Sequence, residues 1–357
     1  MLAKILCAND FHRRPTDITT IKGYVKCNEA VHAALCDELR RGAYTHMILG
    51  GDWYDKGYAA DIGASLADTD ADIEMAKIVN GNVYTVIGNH LRLRMDSNPE
   101  LSLIQPHPVL KSRKPVTRKE QIFKTPEVLR IGDVQISFMH HKKGASDPMV
   151  YKPTRQPWAK YHIAVFHSPL VVPASKLIDT EYAMLATPTS VISRLLEGVD
   201  YAYCGDIHNV LGQFVVPTTT GNCIMCVPGS LTNTNAGLAH RHTSVALPIL
   251  EIDDDSTVKI SYLPFDLKTN LLEFSDKAAA AIEKSKKLKT LAGKPVAALH
   301  DEEVNITLNN NDIKSFTAYM QTQNYSDTDK AIVRAVLSTP DNLDSIIKAY
   351  KKDFDDM

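Results

Sequence analysis

Asp10 and His12 in AKILCANDFH, Asp52 in MILGGDWYD, Asn89 and His90 in VYTVIGNH, His167 in IAVFH, and Asp206 and His208 in YAYCGDIH share one setting. Each follows a short apolar run that reads as a buried strand. In an extended chain residues i and i+2 face the same way, so Asp10 and His12 are expected to reach one point together, as are Asp206 and His208. Ligands of open α/β sheets collect outside the carboxyl ends of the strands. Carboxylate, amide and imidazole groups gathered there form a mixed oxygen and nitrogen donor set, suited to a pair of borderline-hard divalent cations such as manganese, iron or zinc. A single Asp or Asn at a strand end is commonly a turn former. A succession of strand ends with this chemistry points instead to one site, and Asp55 stands at the same end as Asp52.

The elements that must position these residues follow from patterning. Strands are expected at AKILCAN, THMILGG, NVYTVIGN, VQISFMH, HIAVFHS, DYAYCGD and CIMCVPGS. Between the first two, Val25, Ala30, Ala33, Ala34 and Leu35 form a helical stripe ending near Arg40 and Arg41. Residues 71–80 and 188–197 also read as helices. This alternation is that of an α/β layered domain, placed at 1–267. After it the texture changes to a smaller α+β domain at 268–357. Its expected helices lie at 275–290, 312–323 and 342–355, and its expected strands at 303–309 and 330–336. KSRKPVTRKEQ at 111–121 reads as a basic loop, and 143–160 as a surface segment.

Composition bounds the function classes. The chain is 44% hydrophobic and 23% charged with formal net charge −2, so any nucleic-acid footprint must be local. Cys7, Cys27, Cys36, Cys204, Cys223 and Cys226 suggest no disulfide framework. Cys223 and Cys226 form a CxxC without a second pair, inside a strand-like run, which argues against a structural zinc. The amino-terminal apolar stretch is too short for a signal peptide, and no run is long enough to cross a bilayer. A reducing, cytoplasmic protein is expected.

The order D-x-H (10–12), GD (51–52), GNH (88–90), a lone His167 and G-x-x-H (205–208) resembles the calcineurin-like metallophosphoesterase superfamily over about residues 1–235. PGSLTNTN at 228–235 is similar to the PGS motif of the SbcD-type nucleases of DNA double-strand-break repair, in a compact length like that of bacteriophage or bacterial members. The resemblance implies an α/β/β/α fold, two sheets sandwiched between helices, with a small α+β capping domain. It implies two divalent metal ions, Mn2+ foremost and Mg2+, Fe2+ or Zn2+ also compatible. Asp10, His12 and His208 match ligands of the first ion, Asp52 the carboxylate shared by both, and Asn89, His167 and Asp206 the remaining ligands of the second. His90 matches the catalytic histidine that protonates the leaving oxygen or steadies the transition state. Two such ions about 3.5–4 Å apart bind a phosphoryl group and lower the pKa of a bridging water. The implied activity is a DNA exonuclease or endonuclease. The implied partners are DNA, an SbcC-type ATPase and a second copy of the chain, with no membrane, in the host cytoplasm if phage-encoded. Two other classes stay open: a metallophosphoesterase acting on small phosphodiesters or phosphoproteins, and a non-catalytic DNA-binding scaffold.

Two positions depart from the family pattern. Most relatives carry G-H-x-H where this chain has Gly205-Asp206-Ile207-His208. An aspartate at 206 can still ligate, and is expected to. It lowers the net charge of the loaded site by one and is expected to favour harder ions such as manganese. Leu91 replaces the acidic residue that usually follows the catalytic histidine, so another carboxylate is expected to orient His90 if its pKa is tuned. Basic pairs flank the motifs: Arg13 and Arg14, Arg92 and Arg94, Lys142 and Lys143. They are expected to neutralise phosphates on both sides of the scissile bond. His140, His141, His240 and His242 remain ambiguous between substrate contact and structure.

Overall fold

The computed structural model describes residues 1–55, 62–90, 123–235 and 239–283, apart from 15, 178–179, 181, 183–184, 186, 240–241 and 281. The chain divides into two compact units, Met1–Lys287 and Leu288–Met357. The second unit lies outside the described residues, as do the basic loop at 111–121 and the elements expected from 303 onward.

Short, almost continuously buried runs form the centres of two sheets. The first has the order β12(Val258–Asp266), β11(Ser244–Ile252), β1(Ala3–Ala8), β3(His46–Leu49), β4(Val83–Thr85). Its strands β1, β3 and β4 run parallel, and β11 and β12 are antiparallel additions. The second has the order β5(Val128–Ile131), β6(Val134–Met139), β7(Tyr161–His167), β8(Tyr201–Gly205), β10(Gly221–Val227), β9(Gly212–Thr218), with β6, β7, β8 and β10 parallel. The short pair β2(Ile21–Lys22) and β13(Glu273–Phe274) is separate.

The parallel strands β1 and β8 are buried on both faces, as doubly covered strands must be. In β1, Ile5 and Cys7 join Ile48, Ile163, Val165 and Tyr203 in a core between the sheets. Leu6 and Ala8 turn the other way, onto α1(Tyr24–Arg41) and α2(Ile62–Ile78). In β7, Ala164 and Phe166 pack outward against α4(Thr189–Leu195) and the short α3(Ala174–Leu177). Each fully buried aliphatic side chain contributes roughly 1.5–3 kcal/mol. The result is the α/β/β/α sandwich expected from the sequence, with helices on both outer faces. Cys223 and Cys226 sit in β10 and belong to opposite cores, so they cannot share an ion. All six cysteines are buried thiols.

Local chemistry accounts for the element ends. Cys27, Val31, Leu35 and Leu39 place one buried residue per turn along α1. Its first amides are met by Asp17, whose carboxylate accepts from Gly23 N (2.8 Å) and Val25 N (2.9 Å). Arg40 and Arg41 occupy its last turn, where cations suit the helix dipole. The strands β5, β9, β11 and β12 were not anticipated. Beyond the expected boundary at 267/268 the chain stays with the first unit, because Glu273–Phe274 pairs with Ile21–Lys22. No helix among the described residues is long and apolar enough to cross a membrane.

Candidate metal centre

The carboxyl ends of β1, β3, β4, β7 and β8 open on the same rim of the sandwich. Asp10, His12, Asp52 and Asp206 all adopt positive φ there, at 51°, 48°, 44° and 76°. Non-glycine residues rarely take this conformation, and it costs roughly 1–2 kcal/mol. Such strain gathers at functional loops. It also changes how the candidate ligands meet. Asp10 and His12 converge, but through left-handed turns beyond the strand rather than as i and i+2 of extended chain, and Asp206 turns the same way.

Backbone hydrogen bonds lace the loops together. Asp10 N donates to Gly51 O (3.0 Å) and His12 N to Asp52 O (2.9 Å), fixing the first loop against the second. His90 N donates to Asp52 Oδ1 at 3.1 Å. A Cβ at Gly88 would collide with that same Asp52 carboxylate, which is why glycine stands there. Gly51, at φ 107°, is closed to other residues by the His167 ring.

The side chains form three overlapping triads of donor atoms within 4.8 Å of one another: Asp10, His12 and His208; His12, Asp52 and His90; Asp10, Asp52 and His167. His167 is wholly buried, and its Nδ1 donates to Gly50 O at 2.7 Å. That bond turns Nε2 toward the centre, 3.2 Å from Asp52 Oδ2 and 3.1 Å from Asn89 Oδ1. The Nε2 atoms of His12 and His208 face each other at 2.9 Å. Asp10 Oδ1 is buried without a hydrogen-bond partner, 4.0 Å from His12 Nε2 and 3.8 Å from His167 Nδ1. Asp206 Oδ1 lies 3.9 Å from His167 Nε2.

Electrostatics point the same way. Burial pushes the Asp10 carboxyl up to about 7, with the Asp52 carboxylate adding to it. Burial and His208 push His12 down to about 3, and burial takes His208 to about 4. Burial also disfavours the Asp52 anion, yet the His167 imidazole, which also hydrogen-bonds it, outweighs that and holds the carboxyl below its usual range. Burial opposes the His167 cation, yet Asp52, Asp206 and Asp10 outweigh it and hold that imidazole well above its usual range. Facing lone pairs on neutral His12 and His208 beside an unpartnered carboxylate oxygen are costly unless a cation joins them. The donor set fits divalent metal ions.

His90 lies at the edge of this cluster, its ring 4.8 Å from that of His12. Its Nδ1 is 2.6 Å from Asp55 Oδ1, and Asp55 Oδ2 accepts from Arg14 Nη1 at 2.9 Å. Asp55 is thus the carboxylate that orients His90 in place of one at position 91. The acidic residue three after Asp52 was its signal in the sequence.

The basic residues fare differently from expectation. Arg13 is 2% exposed and bound to Asp72 at 2.6 Å, so it cannot reach a phosphate at the rim. The Asp72 carboxylate also accepts from His32 (3.1 Å), Trp53 (3.2 Å) and Tyr54. Nothing in the sequence marked Asp72. Arg14 is engaged with Asp55. Lys142 and Lys143 are exposed, and Lys142 Nζ donates to Val150 O at 2.7 Å. His140 serves structure: its Nδ1 accepts from Ile87 N at 3.0 Å, steadying the loop that carries Asn89 and His90. Arg92, Arg94 and His240 lie outside the described residues.

Residues 3–210, more than half of the chain, match the family described as calcineurin-like phosphoesterase. No curated protein matches. Solved structures of similar fold include a 5'-nucleotidase precursor from Thermus thermophilus, at 13% identity and TM-score 0.38, covering 82% of this chain and 60% of that one. This chain thus spans less than two thirds of that protein's length. Others are a dimetal phosphatase from Danio rerio, at 10% identity and TM-score 0.35, covering 75% of this chain and 99% of that one, and the phosphoesterase Yfce from E. coli, at 11% identity and TM-score 0.31, covering 74% and 100%.

Proposed function

The chain belongs to the calcineurin-like phosphoesterase family, and from that premise we propose that it cleaves DNA phosphodiesters with two divalent cations, as an SbcD-type nuclease subunit. The observation that carries the hydrolytic reading is the donor cluster itself, in which His12 and His208 nitrogens and the unpartnered Asp10 Oδ1 converge. Asp10, His12 and His208 would hold one cation and Asn89, His167 and Asp206 the other, with Asp52 between them. Bound there, the cations supply positive charge for the phosphoryl oxygens and an acidified water. His90 donates a proton to the departing alkoxide. Asp55 orients the imidazole and stabilises its charged form, and Arg14 in turn holds Asp55.

The DNA reading draws support from the loop at 228–235 that carries the SbcD likeness. It packs directly on the centre: Ser230 N donates to His208 O (3.3 Å), and Leu231 N to Asn9 O (3.2 Å). Mn2+ is the foremost metal, and an SbcC-type ATPase and a second copy of this chain are the proposed partners. The test is manganese-dependent cleavage of end-labelled DNA, with and without a candidate ATPase. Release of label that is lost on chelation and in His90→Asn is expected.

A second reading has its own observation. Arg13 and Arg14 are both committed to internal carboxylates, which thins the expected phosphate-binding rim. Hydrolysis of bis-p-nitrophenyl phosphate with single- and double-stranded DNA left intact would select a small-phosphodiester or phosphoprotein substrate instead.

A further inference from the structure

Asp10 is held from behind by a group that the family motifs do not contain. Asn9 is 1% exposed and follows β1 in the first sheet, whereas Tyr203, equally buried, lies on β8 in the second. The Tyr203 hydroxyl donates to Asn9 Oδ1 at 2.5 Å, across the sandwich. Asn9 Nδ2 donates to Asp10 Oδ2 and to Gly229 O, the latter at 3.0 Å. The pair is packed against Gly50, where any Cβ would collide with Asn9 and the Tyr203 ring.

Donor and acceptor identities make this arrangement directional. An amide has one oxygen that accepts and one nitrogen that donates. With Oδ1 engaged by the tyrosine, Nδ2 must face the carboxylate; a flipped amide would set oxygen against oxygen. Asp206 N is a second donor to Asp10 Oδ2, at 2.9 Å. One oxygen of Asp10 is therefore saturated, while Oδ1 stays buried and unpartnered on the side of His12 and His167.

We propose that Asn9, oriented by the Tyr203 hydroxyl, is a positioning residue that makes Asp10 a one-oxygen metal ligand by occupying Oδ2 and leaving Oδ1 alone for the cation. The inference rests on Asp10 being a ligand. Without the amide, the carboxylate is at liberty to rotate or to ligate through both oxygens, which alters the affinity and geometry of one ion.

The test is Mn2+ binding to the purified full chain, by calorimetry and by the electron paramagnetic resonance of bound Mn2+. Asn9→Ala is expected to raise one of the two dissociation constants by about tenfold or more, as loss of a group behind a ligand does, and to change the spectrum. Tyr203→Phe, which removes a single oxygen, should raise the same constant by a smaller factor and carries the test if Asn9→Ala does not fold. In the Asn9→Ala background Tyr203→Phe should add nothing, because no amide remains to be oriented. Lower melting temperatures with both constants and the spectrum unchanged would overturn the proposal. So would independent, additive effects of the two substitutions on affinity. Asp10→Asn separates the levels. If it leaves Mn2+ binding intact, the reading of the centre falls. If it removes one ion while Asn9→Ala leaves both constants unchanged, only the positioning role falls.

Discussion

Two neighbouring clusters use the same chemical groups to opposite ends. Behind the rim, Asp72 sits fully buried with Arg13, His32, Trp53 and Tyr54 all donating to it. At the rim, imidazole nitrogens face each other and Asp10 Oδ1 faces no donor. The Asp72 carboxylate finds its donors within the protein; Asp10 Oδ1 finds none there. Arg13 immediately follows His12, and Trp53 and Tyr54 follow Asp52, so the satisfied cluster anchors the two loops that carry the unsatisfied one. Whether the buried carboxylate has donors within the protein, not residue type, separates the structural cluster from the reactive one.

The largest expected effect is at the incomplete cluster. His90→Asn should lower the hydrolytic rate by about a hundred- to ten-thousand-fold, the worth of a positioned acid, with little change in melting temperature. Steady-state kinetics alongside thermal unfolding checks both. An undiminished rate would mean that the chemistry happens elsewhere.

The next contrast is in stability. Asp72→Ala removes the buried carboxylate that Arg13 Nη1 meets at 2.6 Å and should cost about 3–5 kcal/mol. Asp10→Asn, measured with a chelator present, should instead raise the melting temperature. The two carboxyls also predict opposite pH slopes. Burial opposes the Asp72 anion, but Arg13 and His32 prevail and hold its carboxyl below the usual range. Its contribution is therefore present above the ordinary aspartate pKa of about 3.9, and is lost as pH falls through the lower folded value. The gap between wild type and Asp72→Ala should close in acid. Asp10 is raised to about 7 by burial, so its contribution is full below about 3.9 and disappears as pH rises through the folded value. The advantage of Asp10→Asn should grow from about pH 4 to pH 7. Parallel slopes would erase the distinction between the clusters.

Legibility from sequence follows the same division. Strand ends bearing Asp, His and Asn were readable because each candidate ligand sits beside an apolar run of a few residues. The layered fold was readable because those runs alternate with amphipathic helices. Asp72 was not, since a carboxylate within a helix normally signals solvent and its partners come from distant segments. Arg13 was misread as a phosphate contact for the same reason: charge beside a motif says nothing about which way the side chain turns. Strands β11 and β12 were missed because their partly exposed residues blur the alternation. The left-handed turns at Asp10, His12, Asp52 and Asp206 fall on Asp and His, types that tolerate that conformation better than most, but the same types also serve as ligands, so residue type alone did not separate the two roles.

Asp55 belongs to both clusters in kind, meeting Arg14 on one oxygen and His90 on the other. Asp55→Asn should lower kcat on the order of a hundredfold, the low end of what acid catalysis is worth, with KM nearly unchanged. The loss should shrink for p-nitrophenyl leaving groups, which need no proton, and grow for alkyl ones. An equal loss across leaving groups would place Asp55 with Asp72, as structure alone.

The smallest expected effect is at Asp206, and it is a change of preference rather than of rate. The backbone there is held independently of the side chain, its N–H by Asp10 and its carbonyl by the Tyr182 hydroxyl. Histidine also tolerates the left-handed conformation better than most residues. Asp206→His should therefore exchange a hard oxygen donor for an imidazole without moving the loop. It also removes one negative charge from a site that holds three aspartates, Asp10, Asp52 and Asp206. Manganese affinity should fall relative to zinc, because carboxylate suits the harder ion and imidazole the softer one. Calorimetric titration of both metals into wild type and variant measures the ratio. If the ratio does not move, the 3.9 Å from Asp206 to His167 is mere proximity, and the incomplete cluster is smaller by one ligand.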